Sequence, residues 1–169
     1  MLDNFFIAPK AILILLISTV GSFFDWKFRK IPNWLTLGTF LVALLFHLIR
    51  LKFGLALHCF LGFIVGILLL IIPYATGGMG AGDVKLLGAI GSIVGVKDII
   101  CIFFYSGICG LVLGIIWIIA TPGHLKFLIT TGKILPPIDK KQKVPYGIAI
   151  MLGTILYIIL GYKNFFAFH

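Results

Sequence analysis

The sequence predicts an all-α, polytopic membrane protein of about six transmembrane helices. Three observations carry that prediction. Of 169 residues, 61% are hydrophobic and only 11% charged, where a soluble domain has about 45–50% apolar and roughly 25% charged residues. The apolar residues gather into six stretches, most of them near the ~20 residues a spanning helix needs. The lysines and arginines are distributed unevenly among the connections between those stretches. So few charges exclude a soluble enzyme, a disordered tail and a nucleic-acid-binding module, and the net charge of +9 is first a membrane signal.

The first stretch, residues 6–24, is interrupted only by Lys10. It lacks a basic start and no A-x-A site follows it, so it reads as a retained span and not a cleaved signal peptide. Residues 34–49 and 55–75 form the second and third stretches, and residues 84–96 a fourth that is apolar but short. Residues 99–121 are the fifth and residues 146–162 the sixth, followed by an aromatic tail. Residues 122–144 form the one long connection, marked as polar and irregular by Pro136, Pro137, Lys140, Lys141 and Lys143. No internal repeat or low-complexity tract divides the chain, and residues 1–169 read as a single membrane-embedded domain. Cys59, Cys101 and Cys109 all lie in apolar runs; an odd count without C-x-x-C argues against disulfides or a zinc knuckle.

Successive spans alternate in direction, so the first, third and fifth connections share one membrane face. That face carries nine basic residues: Lys27, Arg29, Lys30, Lys85, Lys126, Lys133, Lys140, Lys141 and Lys143. The other carries five: Lys10, Arg50, Lys52, Lys97 and Lys163. The richer face is expected to be cytoplasmic.

The five aspartates, in a chain without glutamate, are the informative residues, because carboxylates are costly in lipid. Asp3 is at the N-terminus, Asp139 lies among solvated lysines, and Asp98 precedes the fifth stretch, where it reads as an N-cap. Asp25 and Asp83 differ. One closes the first span and the other follows the third, so two helices separate them and both fall on the same face. Two carboxyls held about 3 Å apart cannot both be ionised and share one proton. The charged member takes a proton from water and the neutral one donates to a scissile carbonyl. Neither a metal nor another cofactor is needed. The pair titrates as a unit, so no proton is assigned to either member. The competing reading is two interfacial aspartates that never meet.

Asp83 closes a glycine-rich run containing Gly77, Gly78, Gly80 and Gly82. Such a run permits positive φ and close backbone approach, and offers an edge on which an extended substrate can lie. A plain interhelical turn explains one or two of these glycines. A phosphate loop is excluded, since no G-K-[ST] follows.

Gly80-Ala81-Gly82-Asp83 is a G-x-G-D motif, and with Val84-Lys85-Leu86-Leu87-Gly88 it resembles the type IV prepilin peptidase family. Asp25-Trp26-Lys27-Phe28-Arg29-Lys30-Ile31-Pro32-Asn33 is similar to that family's D-x5-I-P-N signature, and Pro145-Tyr146-Gly147 to its P-[YF]-G element. The resemblance implies a membrane aspartyl endopeptidase, with Asp25 and Asp83 as its catalytic pair. It would cut the short cytoplasmic leader of a type IV prepilin or pseudopilin after glycine, at the inner membrane. Long members carry an extra region with paired C-x-x-C motifs, tied to zinc and N-methylation. The connection from Asp25 to Trp34 is too short to hold it, and the chain resembles the short form that accompanies tight-adherence (Flp) pili or the preflagellin peptidases. Methyl transfer is therefore not expected.

Supporting residues carry plainer readings as well. Pro32 and Asn33 are expected to end a loop and cap the second helix. Lys85 either biases Asp83 toward its charged form or marks the cytoplasmic side. Pro145, Tyr146 and Gly147 either shape a substrate groove or start a helix. Trp26 and Trp34 read as interfacial aromatics. His47, His58, His124 and His169 show no metal spacing, and Ser106 lacks the glycine that precedes a rhomboid-type serine. The alternatives are a presenilin- or signal-peptide-peptidase-like protease, which would carry P-A-L where this chain has Pro145-Tyr146-Gly147, and a non-enzymatic transporter or assembly subunit. Partners are the prepilin-like substrate and membrane lipid, with no nucleic acid.

Overall fold

A computed structural model describes residues 2–28, 30–49, 53–76, 78–120 and 146–161. The long connection at residues 122–144 and Pro145 lie outside them. Among the described residues there are six α-helices: α1 (Leu2–Phe28), α2 (Asn33–Ile49), α3 (Phe53–Ala75), α4 (Ala81–Val94), α5 (Val96–Ala120) and α6 (Tyr146–Leu156), the last continued by a π-helical turn, Tyr157–Gly161. Three segments are long and apolar enough to cross a membrane: Lys10–Phe28, Phe53–Ala75 and Val96–Ile116. Asn33–Leu45 and Tyr146–Leu160 are apolar but shorter.

The fourth stretch differs most from a spanning helix. Fourteen residues of α4 rise roughly 21 Å, less than the ~30 Å of a bilayer's hydrocarbon core. Its place in the bundle explains its composition. α4 touches each of the other five helices, and Val84, Leu86, Leu87, Ala89 and Ile90 are buried all round it, as expected for an internal helix apolar on every side. The lipid-type surface is instead made by the outer helices. Ile12, Leu16, Leu57, Phe60, Phe104 and Leu111 are all exposed, an apolar belt that a water-soluble monomer does not carry.

Glycine lets α3 and α4 come together. A Cβ on Gly62 would collide with the carbonyl of Gly91, and one on Gly66 would sit 2.7 Å from the Leu87 carbonyl oxygen; small residues at a helix crossing allow this backbone approach. Several buried hydroxyls bond within their own helices, as where Ser106 donates to the Ile102 carbonyl at 2.7 Å and Thr154 to Ile150 at 2.8 Å. The Ser106 hydroxyl is thus bonded inside α5 and packed against Gly153 of α6.

Two turns place the site. At the end of α3 the Gly78 amide donates to the Pro73 carbonyl at 3.0 Å, closing the helix as C-terminal caps do. Between α4 and α5 the single residue Gly95 has φ +90°, and its amide donates to Gly91 at 2.8 Å. α5 begins at Val96, so Asp98 sits within its first turn and not at the cap position expected from sequence.

Candidate active site

α1 runs past its apolar stretch to Phe28, so Asp25 stands in its last helical turn and not beyond the span. Interfacial chemistry accounts for the extension. Trp26 and Phe28 are exposed, and the Lys27 amine lies 5.7 Å and 5.5 Å from the Phe23 and Phe28 ring centroids. Trp34, also exposed, meets Phe24 edge-on at 6.2 Å. Aromatic and basic side chains of this kind settle at a membrane–water boundary.

Asp83 is the third residue of α4, with Gly80 at the N-cap (φ −83°, ψ 148°). Its Oδ2 accepts the Gly80 amide at 3.3 Å, one half of a capping box, which turns the carboxyl back over the glycine run. Among the described glycines only Gly95 has positive φ, so Gly78, Gly80 and Gly82 do not use the freedom expected of them. Gly82 serves close approach: a Cβ there would lie 3.0 Å from Ile31 Cβ and 3.2 Å from Ile31 N. The α1–α2 connection therefore rests directly on the first turn of α4.

The two aspartates share a pocket of about 440 Å³ lined by residues of that connection and of α4's first turn. Both carboxyls are nearly buried, Asp25 9% and Asp83 4% exposed. Asp83 precedes the apolar part of α4. Burial first, and the charge of Asp25 second, push it up to about 7, against the opposing pull of the Gly80 amide. Among the described residues its buried Oδ1 has no hydrogen-bond partner. Asp25 Oδ2 accepts the Gly147 amide of α6 at 3.1 Å. Three helices distant in sequence thus converge on one pair of carboxyls, an arrangement capable of general acid–base hydrolysis.

Of the residues singled out from sequence, Asp25, Pro32, Asn33, Gly80, Gly82, Asp83 and Lys85 line the pocket. Gly147 adjoins it through Asp25, and Tyr146 lies against Gly110 of α5. Gly78 is engaged at the end of α3 instead. The Lys85 amine donates to Asn33 Oδ1 at 2.9 Å, a contact that sequence did not indicate, tying α4 to the start of α2. Asn33 is itself the first residue of α2. Lys30, Ile31 and Ala81 also line the pocket and were not singled out, although Ile31 belongs to the I-P-N element. No feature of sequence marks a main-chain amide such as that of Gly147 as a carboxylate partner.

A family model described as the type IV leader peptidase family matches residues 12–115. That segment contains both aspartates and stops short of α6. The chain is also 33% identical over 103 residues to the prepilin leader peptidase/N-methyltransferase of Bacillus subtilis (strain 168), a match covering 60% of this chain and 36% of the relative. The chain therefore spans little more than a third of the length of that protein. No solved structure matches it.

Proposed function

This chain belongs to the type IV leader peptidase family, and on that premise we propose that it is a membrane aspartyl endopeptidase in which Asp25 and Asp83 form the catalytic pair. The substrate class is a type IV prepilin or pseudopilin, cut after glycine where its short leader meets the hydrophobic helix. The observation that carries the reading is the shared pocket, in which Asp83 is buried beside the charge of Asp25. Hydrolysis needs one carboxylate to take a proton from water while a neutral carboxyl donates to the scissile carbonyl. A buried pair with one raised member holds the single proton this requires.

Gly80, exposed beside Asp83 and lining the pocket, presents no side chain to an extended segment, and a protease needs its substrate extended. The Lys85–Asn33 bond and the seat of Ile31 on Gly82 fix the walls around it. The excess of lysine and arginine on the pocket's side supports a cytoplasmic active site in the inner membrane. Only four residues separate α1 from α2, which leaves no room between them for an insert with paired C-x-x-C motifs and supports cleavage without N-methylation.

The test is incubation of the purified protein in lipid with a prepilin leader substrate or a remnant signal peptide, reading new N-termini by mass spectrometry. Cleavage of the prepilin after glycine, with an unmethylated product, is expected. Cleavage of the signal peptide alone contradicts the proposed substrate class, and cleavage of neither contradicts the peptidase reading.

A further inference from the structure

The two aspartates meet unlike partners. Asp25 Oδ2 accepts the main-chain amide of Gly147, the second residue of α6 and 122 positions away. The first amides of a helix have no acceptor inside it and carry the positive end of its dipole, so this bond favours a charged acceptor. The approach leaves no space for a side chain, since a Cβ at position 147 would lie 3.0 Å from both Cβ and Oδ2 of Asp25. Asp83 has a longer bond from Gly80, at 3.3 Å, and among the described residues its buried Oδ1 has no partner. An ionised oxygen in that position loses its hydration without replacement, whereas a protonated one is itself a donor awaiting an acceptor.

We propose that Gly147 is a positioning residue for peptide cleavage, its amide holding Asp25 as the ionised, water-activating member and leaving Asp83 as the member that carries the proton. The proposal rests on the aspartyl peptidase reading and adds a direction to it. Water oxygen bonds to the scissile carbon as Asp25 takes a water proton and Asp83 gives its own to the carbonyl oxygen. The carbon–nitrogen bond then breaks. Asp25 passes its proton to the leaving nitrogen, and one hydroxyl of the tetrahedral centre returns a proton to Asp83. Both aspartates end as they began. The other charged groups lining the pocket are Lys30 and Lys85, the Lys85 amine being engaged by Asn33, and from α6 Tyr146 packs against Gly110.

The experiment is carbon-13 NMR of aspartate-labelled protein in lipid at pH 6. Asp25→Asn and Asp83→Asn each assign one carboxyl resonance by its loss, and the parent protein is then read. The Asp25 resonance is expected at the ionised shift and the Asp83 resonance at the protonated shift. The reverse order overturns the proposal even where no position-147 variant folds. In Gly147→Ala, kcat should fall at least tenfold with KM little changed, and the acidic limb of the pH profile should move upward. An unmoved profile together with an unmoved Asp25 resonance overturns it as well. Absence of cleavage by the parent protein contradicts the peptidase reading alone, because the NMR order is read without substrate.

Discussion

A single methyl group at position 82 should separate the shape of the pocket from the stability of the bundle. In Gly82→Ala the new Cβ meets Ile31 Cβ at 3.0 Å, Cγ1 at 3.1 Å and N at 3.2 Å. Ordinary carbon–carbon contact is about 3.5–4.0 Å, so the α1–α2 connection must retreat by roughly 0.5 Å. Overpacking of this kind costs about 1–3 kcal/mol. Replacing a helical glycine by alanine returns up to ~1 kcal/mol, so the net loss of stability is small. Activity is the sharper readout. A misplacement of about 1 Å can cost ~10²-fold in rate, and half that shift at a wall shared with Asp25 and Asp83 predicts a loss of about tenfold. The assay is single-turnover cleavage of a prepilin leader by protein in lipid. Adding Ile31→Ala should not rescue, because two of the three contacts, to Cβ and N, survive that change. Wild-type cleavage by Gly82→Ala, or full rescue by the double variant, would refute the reasoning.

Other outcomes follow from the same geometry. Asp83 is raised from 3.8 to about 7, so the folded state holds a proton the unfolded state has released, and stability falls as pH rises from about 4 to 7; the gain in thermal midpoint from Asp83→Asn should therefore be larger at pH 8 than at pH 5. Lys85→Met and Asn33→Ala should have similar, non-additive effects on melting, with a coupling of about 1 kcal/mol. A shift of the cleavage pH profile by Lys85→Met but not by Asn33→Ala would show that lysine acts on Asp83 through its charge instead. In Gly62→Ala the new carbon meets backbone of Gly91 and Gly95, which cannot yield as a side chain can, and a loss of about 3 kcal/mol or more is expected in a denaturant titration. Gly38→Ala meets nothing within 4 Å and should be neutral or stabilising by up to ~1 kcal/mol.

The helices were legible because lipid-facing apolar stretches announce themselves by composition, and all six stretches correspond to helices. Their ends were less so. Hydropathy stops at Phe24, whereas α1 continues to Phe28 because aromatic and basic residues tolerate the interface. α4 shows as apolar in sequence, but its enclosure by every other helix is a tertiary fact that composition shared with lipid-facing spans does not encode. The glycine run meets the pocket for a reason other than the one expected: sequence announces permitted conformations, and the fold uses the missing side chain of Gly82 instead of a positive φ. The Lys85–Asn33 bond crosses 52 positions and the Gly147–Asp25 bond 122. Such pairings arise from packing, and one of them uses a main-chain atom common to almost every residue.

The central claim, that Asp25 and Asp83 work as one acid–base pair, is tested most directly by purifying Asp25→Asn and Asp83→Asn in lipid. Each is then offered the leader substrate, with circular dichroism establishing that its helices are intact. Both variants, folded as the parent is, are expected to lose cleavage down to the uncatalysed rate. Parent-level cleavage by either folded variant would contradict that claim.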